Sequence, residues 1–115
     1  MGISNADKAT LLNMQAALKP FFELRDTMPL QYVTAFLLVA VKEGQTVGEL
    51  ATRAGIAPSL MTRHLADLSQ INRYHGDGHD LIAKKDDPKD KRIKRQHLTV
   101  SGHRVVGQIL GALTR

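Results

Sequence analysis

Apolar residues recur at helical spacing along most of this chain, and the rhythm breaks only between Asn72 and Leu98. Leu11, Met14, Leu18, Phe21, Phe22 and Leu24 form a broad apolar stripe that predicts a first helix from about Asn5 to Asp26. Ser4, with Asp7 three residues on, resembles a capping box at its start. Pro20 lies inside the stripe and is expected to kink or split the helix, because its ring removes a donor and clashes with the preceding turn. Leu30, Val33, Leu37 and Val41 predict a second helix, opened by Met28-Pro29-Leu30 and ended by Gly44 as a C-cap.

Thr46 suits the N-cap of a third helix, Val47 to Ala54, with Glu49 completing a capping box. Gly55 then turns the chain. A fourth helix starts at Ile56-Ala57-Pro58-Ser59, carries Met61, Leu65 and Leu68 on one face, and runs to about Ile71. The polar stretch from Asn72 to Asp80 contains two glycines and reads as a loop. Leu81 to Lys85 and Arg92 to Leu98 read as two short antiparallel strands. Thr99 suits the N-cap of a last helix whose apolar face is Val105, Val106, Ile109, Leu110 and Leu113. The predicted order is H-H-H-H-E-E-H, mainly α with a small β-hairpin.

Two short helices joined by Ala54-Gly55-Ile56-Ala57 have the local signature of a helix-turn-helix. Leu50, Ala51, Ile56, Met61 and Leu65 are the residues expected to lock the pair. The second helix then offers Ser59, Leu60, Thr62 and Arg63 near its N-terminal end, the end that enters the major groove in this motif. Arg63 suits guanine edges or phosphates, Ser59 and Thr62 are short donors, and Leu60 suits a thymine methyl. His64 either contacts phosphate or hydrogen-bonds at the helix surface.

Charge sharpens this reading. The chain carries +5, and residues 81–95 alone carry +4, from seven Lys or Arg against three Asp. A basic hairpin directly after a helix-turn-helix makes a winged helix, with the wing tip over the DNA backbone or in the minor groove. Lys84, Lys85, Lys89, Lys91, Arg92, Lys94 and Arg95 are its candidate phosphate and groove contacts, with Asp90 among them. A helical pair that merely packs in a core, or that binds only proteins, is the plainer reading of the helix-turn-helix alone.

The remaining composition sets bounds. The 115 residues suit one domain with a modest core, taken as residues 1–115, with residues 1–27 and 100–115 as dimerisation helices. There is no cysteine, so no disulfide framework, thiolate metal site or cysteine-based oxidant sensor. The longest apolar run, Ala35 to Val41, is too short to cross a bilayer, and the first residues show no signal peptide. A cytoplasmic location is the expectation. A pI near 9.8 favours an anionic partner.

Residues 28–102 resemble the MarR family of winged-helix regulators. The resemblance is carried by Met28-Pro29-Leu30-Gln31, by Thr46-Val47-Gly48-Glu49-Leu50-Ala51 through Ile56-Ala57-Pro58-Ser59, and by Asp90-Lys91-Arg92 followed by Leu98-Thr99-x-x-Gly102. It implies that Arg92 reaches the minor groove and that Asp90 orients it through a charge-assisted hydrogen bond. It also implies a homodimer on a pseudo-palindromic duplex, often with a small-molecule effector, which nothing in the sequence identifies. The pattern differs from the family's in a longer Asn72–Asp80 loop, in Gln96 where an apolar residue is common, and in the thirteen residues that follow Gly102.

Other chemistry is weaker. His75, Asp77, His79 and Asp80 invite a metal, but they sit in a glycine-containing loop and read better as solvated residues, so no metal or cofactor is expected. His97 reads as a strand-surface residue. Gly107-x-x-x-Gly111 is a packing detail outside a membrane. No phosphate-binding glycine loop or nucleophile motif suggests an enzyme. The apolar surplus of the first helix wraps the core, covers a second subunit, or lines a ligand pocket with the second and last helices; the second subunit is favoured because the surplus would otherwise be exposed. The leading expectation is a regulator specific for double-stranded DNA. Its rivals are a protein-interaction module (an adaptor or anti-repressor) and a replication or partition factor.

Overall fold

A computed structural model describes residues 2–115. Its elements are α1 (Asn5–Leu24), α2 (Leu30–Val41), α3 (Val47–Ala54), α4 (Pro58–Leu68), β1 (Ile82–Asp86), β2 (Lys94–Leu98) and α5 (Val100–Leu113). The predicted order and the mainly helical class with one hairpin are borne out. The chain divides into two units: residues 1–28 with 104–115, and residues 29–103.

In the first unit, α1 opens as expected: Asp7 N donates to Ser4 Oγ at 3.0 Å. The helix neither splits at Pro20 nor reaches Asp26; it runs through Pro20 and closes at Leu24, where Arg25 N donates to Phe21 O at 3.0 Å. Ala17, Pro20 and Phe21 are buried, and that burial offsets the local cost of an interior proline. In the part of α5 that belongs to this unit, Val105, Ile109 and Ala112 are buried. Leu110 and Leu113, predicted on the same inner face, are exposed.

The second unit is built around α2. Tyr32, Val33, Ala35, Phe36 and Val39 are buried, whereas Leu30 and Val41 are about as exposed as a surface residue can be, at 75% and 80%. Of the predicted stripe of Leu30, Val33, Leu37 and Val41, only Val33 is buried. Nearly every residue of α2 is apolar, so its pattern has no unique inner face, and packing chose one centred on Phe36. Leu50 and Ala51 of α3, Met61, Leu65 and Leu68 of α4, and Leu81 and Ile82 complete this core. Each fully buried large side chain contributes about 2 kcal/mol of transfer free energy.

The hairpin pairs antiparallel with Ile82 opposite Leu98, Lys84 opposite Gln96 and Asp86 opposite Lys94. β1 begins and ends one residue later than predicted, while β2 ends at Leu98 as expected but begins two residues later, because Arg92 and Ile93 belong to the turn: Ile93 N donates to Asp90 O at 3.0 Å. On the other side of β2, Gln45 forms an isolated bridge with Gln96. Gln96 is thus buried as the middle of a three-stranded contact, its backbone shared with Gly44 and Gln45. Gln45 Nε2 in turn donates to Leu38 O and Lys42 O, satisfying carbonyls at the open end of α2. Gly44 lies in this turn, beyond the helix C-cap at Lys42.

Gly102 explains part of the Leu98-Thr99-x-x-Gly102 pattern. A Cβ there would stand 2.2 Å from Leu81 O, so only glycine fits. Thr99 fixes this approach: its hydroxyl donates to Asp80 O at 2.5 Å and accepts from Gly102 N at 2.9 Å.

Candidate nucleic-acid interface

The helix-turn-helix forms for local reasons. Thr46 Oγ1 accepts from Glu49 N at 3.2 Å, and Glu49 Oε1 accepts from Thr46 N at 3.2 Å, which is the complete capping box. The Thr46 backbone N–H, and after it the Thr46 hydroxyl donating to Glu49 Oε1 at 3.1 Å, hold the Glu49 carboxyl below its ordinary range. Gly55 closes α3 in the left-handed conformation, and Ile56 N donates to Ala51 O at 3.1 Å. Pro58 then occupies the first turn of α4.

The outward face of α4 carries Ser59, Thr62 and Arg63, all exposed, with Leu60 half-buried. Thr62 Oγ1 donates its proton to Pro58 O at 2.9 Å, so it meets any partner as an acceptor. His64 is not on this face. It is 7% exposed and turned toward α2, with Nε2 2.7 Å from Gln31 Oε1. The expected place at the helix surface is therefore corrected: the position is three residues from Met61 and on the same inward stripe.

The wing cations are not equivalent. Asp87 Oδ1 accepts from Lys89 N and Asp90 N at 2.8 and 3.1 Å, which folds the tip into a tight turn. Arg95 Nε donates to Asp87 Oδ2 at 2.7 Å, Arg95 Nη1 to Gly44 O at 2.9 Å, and Nη1 also lies 3.9 Å from Glu49 Oε1. Arg95 therefore bolts the hairpin to the α2–α3 turn and to α3. The Arg95 guanidinium, with backbone N–H groups, holds the Asp87 carboxyl below its usual value. Lys94 pairs with Asp86 across the strands. Lys84, Lys85, Lys89 and Lys91 are exposed and make no ion pair among the described residues.

Arg92 stands apart. Its Nε and Nη2 donate to Asp90 Oδ1 and Oδ2, both at 3.0 Å, in a bidentate pair, while its side chain stays 91% exposed. Arg92 N also donates to Asp90 Oδ1 at 3.0 Å. The Arg92 hydrogen bonds lower the Asp90 pKa, and Asp90 raises that of Arg92. The result is a guanidinium held at the tip in one orientation with its remaining donors facing solvent.

Between the exposed side of α4 and the wing lies a cleft of about 720 Å³, bordered by Thr62, Ala66, Ile82, Lys84 and Lys94. The same unit also holds two pairings that local sequence patterns could not reveal. Tyr32 donates to Asp67, thirty-five residues away, and Glu43 Oε1 accepts from Leu98 N at 2.7 Å with His97 and His103 nearby. Arg73 lies over the Tyr74 ring at 4.8 Å in the loop. Among the described residues, no group of three or more His, Asp or Glu is placed to hold a metal ion, the loop histidines included.

Solved structures share this arrangement of five helices and a wing. CouR, a transcriptional repressor solved bound to a 23-mer DNA duplex, matches with a TM-score of 0.62 and 21% identity, over 95% of this chain and 70% of that one. The MarR family transcription regulator SP03579 matches at 0.63 and 15%, over 90% and 60%. A MarR-like regulator, tm0816 from Thermotoga maritima, matches at 0.66 and 21%, over 98% and 77%. The fold is the MarR-type winged helix. No protein-family model matches the chain, and no curated protein matches it.

Proposed function

We propose that this chain is a transcriptional regulator that binds double-stranded DNA, with α4 in the major groove and the wing tip at the minor groove. The observation that carries the reading is the bidentate Asp90–Arg92 pair at the tip. It spends an acidic residue to present one cation rigidly, an arrangement that a merely solvated charge run has no need of. Ser59, Leu60, Thr62 and Arg63 supply base-edge contacts. Lys84, Lys85, Lys89 and Lys91 supply phosphate contacts and counterion release. Lys94 and Arg95 are secondary in that role, since both are engaged within the wing.

The reading includes a homodimer through α1 and α5. Leu11, Leu12, Met14 and Phe22 on α1 are at least half exposed, as is Leu110 on α5, a surplus that suits burial against a second copy. Half-sites then lie about one helical turn apart. The likeness to CouR and SP03579, a transcriptional repressor and a transcription regulator, supports the regulatory role over catalysis. Among the described residues no helix is long and apolar enough to cross a membrane.

Selection of bound duplexes from a random pool tests the whole reading. An enriched, two-fold symmetric sequence is expected. Absence of any retained duplex at low salt would overturn it in favour of a protein-interaction module.

A further inference from the structure

Two side-chain bridges tie the inner face of α4 to the start of α2. His64 Nε2 stands 2.7 Å from Gln31 Oε1, and the Tyr32 hydroxyl donates to Asp67 Oδ2 at 2.5 Å. The Tyr32 and His64 rings lie 4.9 Å apart, inclined at 50°. A carbonyl oxygen can only accept, so the His64 proton sits on Nε2 and Nδ1 presents a lone pair. That Nδ1 is buried without a hydrogen-bond partner.

The groups facing His64 are few. Gln31 and Tyr32 face it from α2, Asp67 from its own helix, and Arg73 from the following loop. Asp67 is already engaged, by Tyr32 and by Arg73, whose N donates at 3.4 Å and whose Nε lies 3.8 Å away. A second proton, on Nδ1, would therefore create a buried cation whose new N–H has no acceptor. Burial holds the His64 pKa below its ordinary 6.5; Asp67 opposes that shift and Arg73 adds to it.

We propose that Gln31 and Tyr32 are positioning residues for the recognition helix, and that proton uptake at His64 Nδ1 releases α4 from α2 and lowers sequence-specific DNA affinity in acid. The proton comes from solvent and converts a neutral imidazole to an imidazolium, which must leave its pocket to be hydrated. His64 follows Arg63 directly and lies one turn from Leu60, so its exit moves the side chains assigned to base edges. Phosphate contacts made by the wing do not depend on it. Only the last step, from helix position to DNA affinity, rests on the DNA-binding reading above.

The test has two arms. In the first, fluorescence anisotropy follows binding of the selected duplex and of a scrambled duplex of equal length, at constant salt, from about pH 8 to about pH 5.5. Specific affinity is expected to fall about tenfold while scrambled-duplex affinity does not fall. His64→Gln is expected to flatten that profile, and Tyr32→Phe to weaken specific binding at every pH while leaving its slope. A His64→Gln protein with the wild-type profile, or equal losses on both duplexes, overturns the proposal. In the second arm, the DNA-free wild type is titrated by NMR. The His64 ring and the backbone amides of Ser59 to Arg63 are expected to move in one transition. A His64 transition without the amide shifts overturns the proposal, whether or not the variants fold. Coupled shifts in a protein that retains no duplex would instead overturn the DNA-binding reading and leave the switch standing.

Discussion

Arg95 and Asp87 face each other across the base of the wing, with Arg95 Nε donating to Asp87 Oδ2 at 2.7 Å. Both side chains are substantially covered, at 36% and 14% exposure, whereas the Arg92 side chain at the tip is 91% exposed. Two arginines three residues apart thus have opposite tasks. One fastens the hairpin to the body and the other leaves it.

The first prediction contrasts them. Arg92→Ala should leave the melting temperature unchanged, weaken binding to all duplexes and reduce the salt slope by about 1. Arg95→Ala should instead lower the melting temperature and raise backbone mobility at residues 87–93. Thermal melts and binding at three salt concentrations separate the two, and matching behaviour would contradict the assignment.

Arg63→Ala should act on a different quantity. With its side chain exposed on the outer face of α4, it should cost about 1–3 kcal/mol on the preferred duplex and relax base preference at one position of each half-site. Repeating the duplex selection with the variant reads this out directly.

Gly102→Ala should be poorly tolerated. The added Cβ would meet Leu81 O at 2.2 Å, a backbone atom that cannot rotate away. A loss of about 1–3 kcal/mol in urea unfolding is expected, from overpacking at the junction of β1 and α5. Gly107→Ala, where a Cβ meets nothing within 4 Å, serves as the control and should be neutral or stabilising.

Acid should loosen the wing base before the helices melt. Glu49, Asp87 and Asp90 all have folded pKa values below their ordinary 4.5, 3.8 and 3.8. The folded state therefore binds fewer protons than the unfolded one as pH falls. Their stabilising contribution is complete above those ordinary values and is lost as pH falls through the lower, folded ones. Amide resonances of residues 87–95 should shift below about pH 4. This window is well separated from that of His64, which opens below its ordinary 6.5.

Much of this architecture was written locally. The Thr46–Glu49 box, Gly55 at the close of α3 and Pro58 at the start of α4 are choices a few residues make among themselves, since caps and turns are satisfied within one turn of chain. The same holds for Ser4 on α1 and for Thr99 with Gly102. Asp90 and Arg92 are close enough in sequence to find one another without the rest of the fold, and so the tip of the wing was legible.

Long-range packing decided the remainder. The apolar run of α2 permits several inner faces, and the choice of Phe36 over Leu30 and Val41 depends on what α3, α4 and β2 bring against it. His64 looks like a surface neighbour of Arg63 until α2 supplies Gln31 and Tyr32 beside it. Arg95 reads as one more wing cation until Gly44, fifty-one residues earlier, offers its carbonyl. Local sequence determined where helices, turns and positive charge fall, because those are settled by neighbours along the chain. Which polar side chains are spent inside the fold, and which stay free for a partner, was decided only in three dimensions, because burial and distant hydrogen-bond partners exist only after the chain has packed.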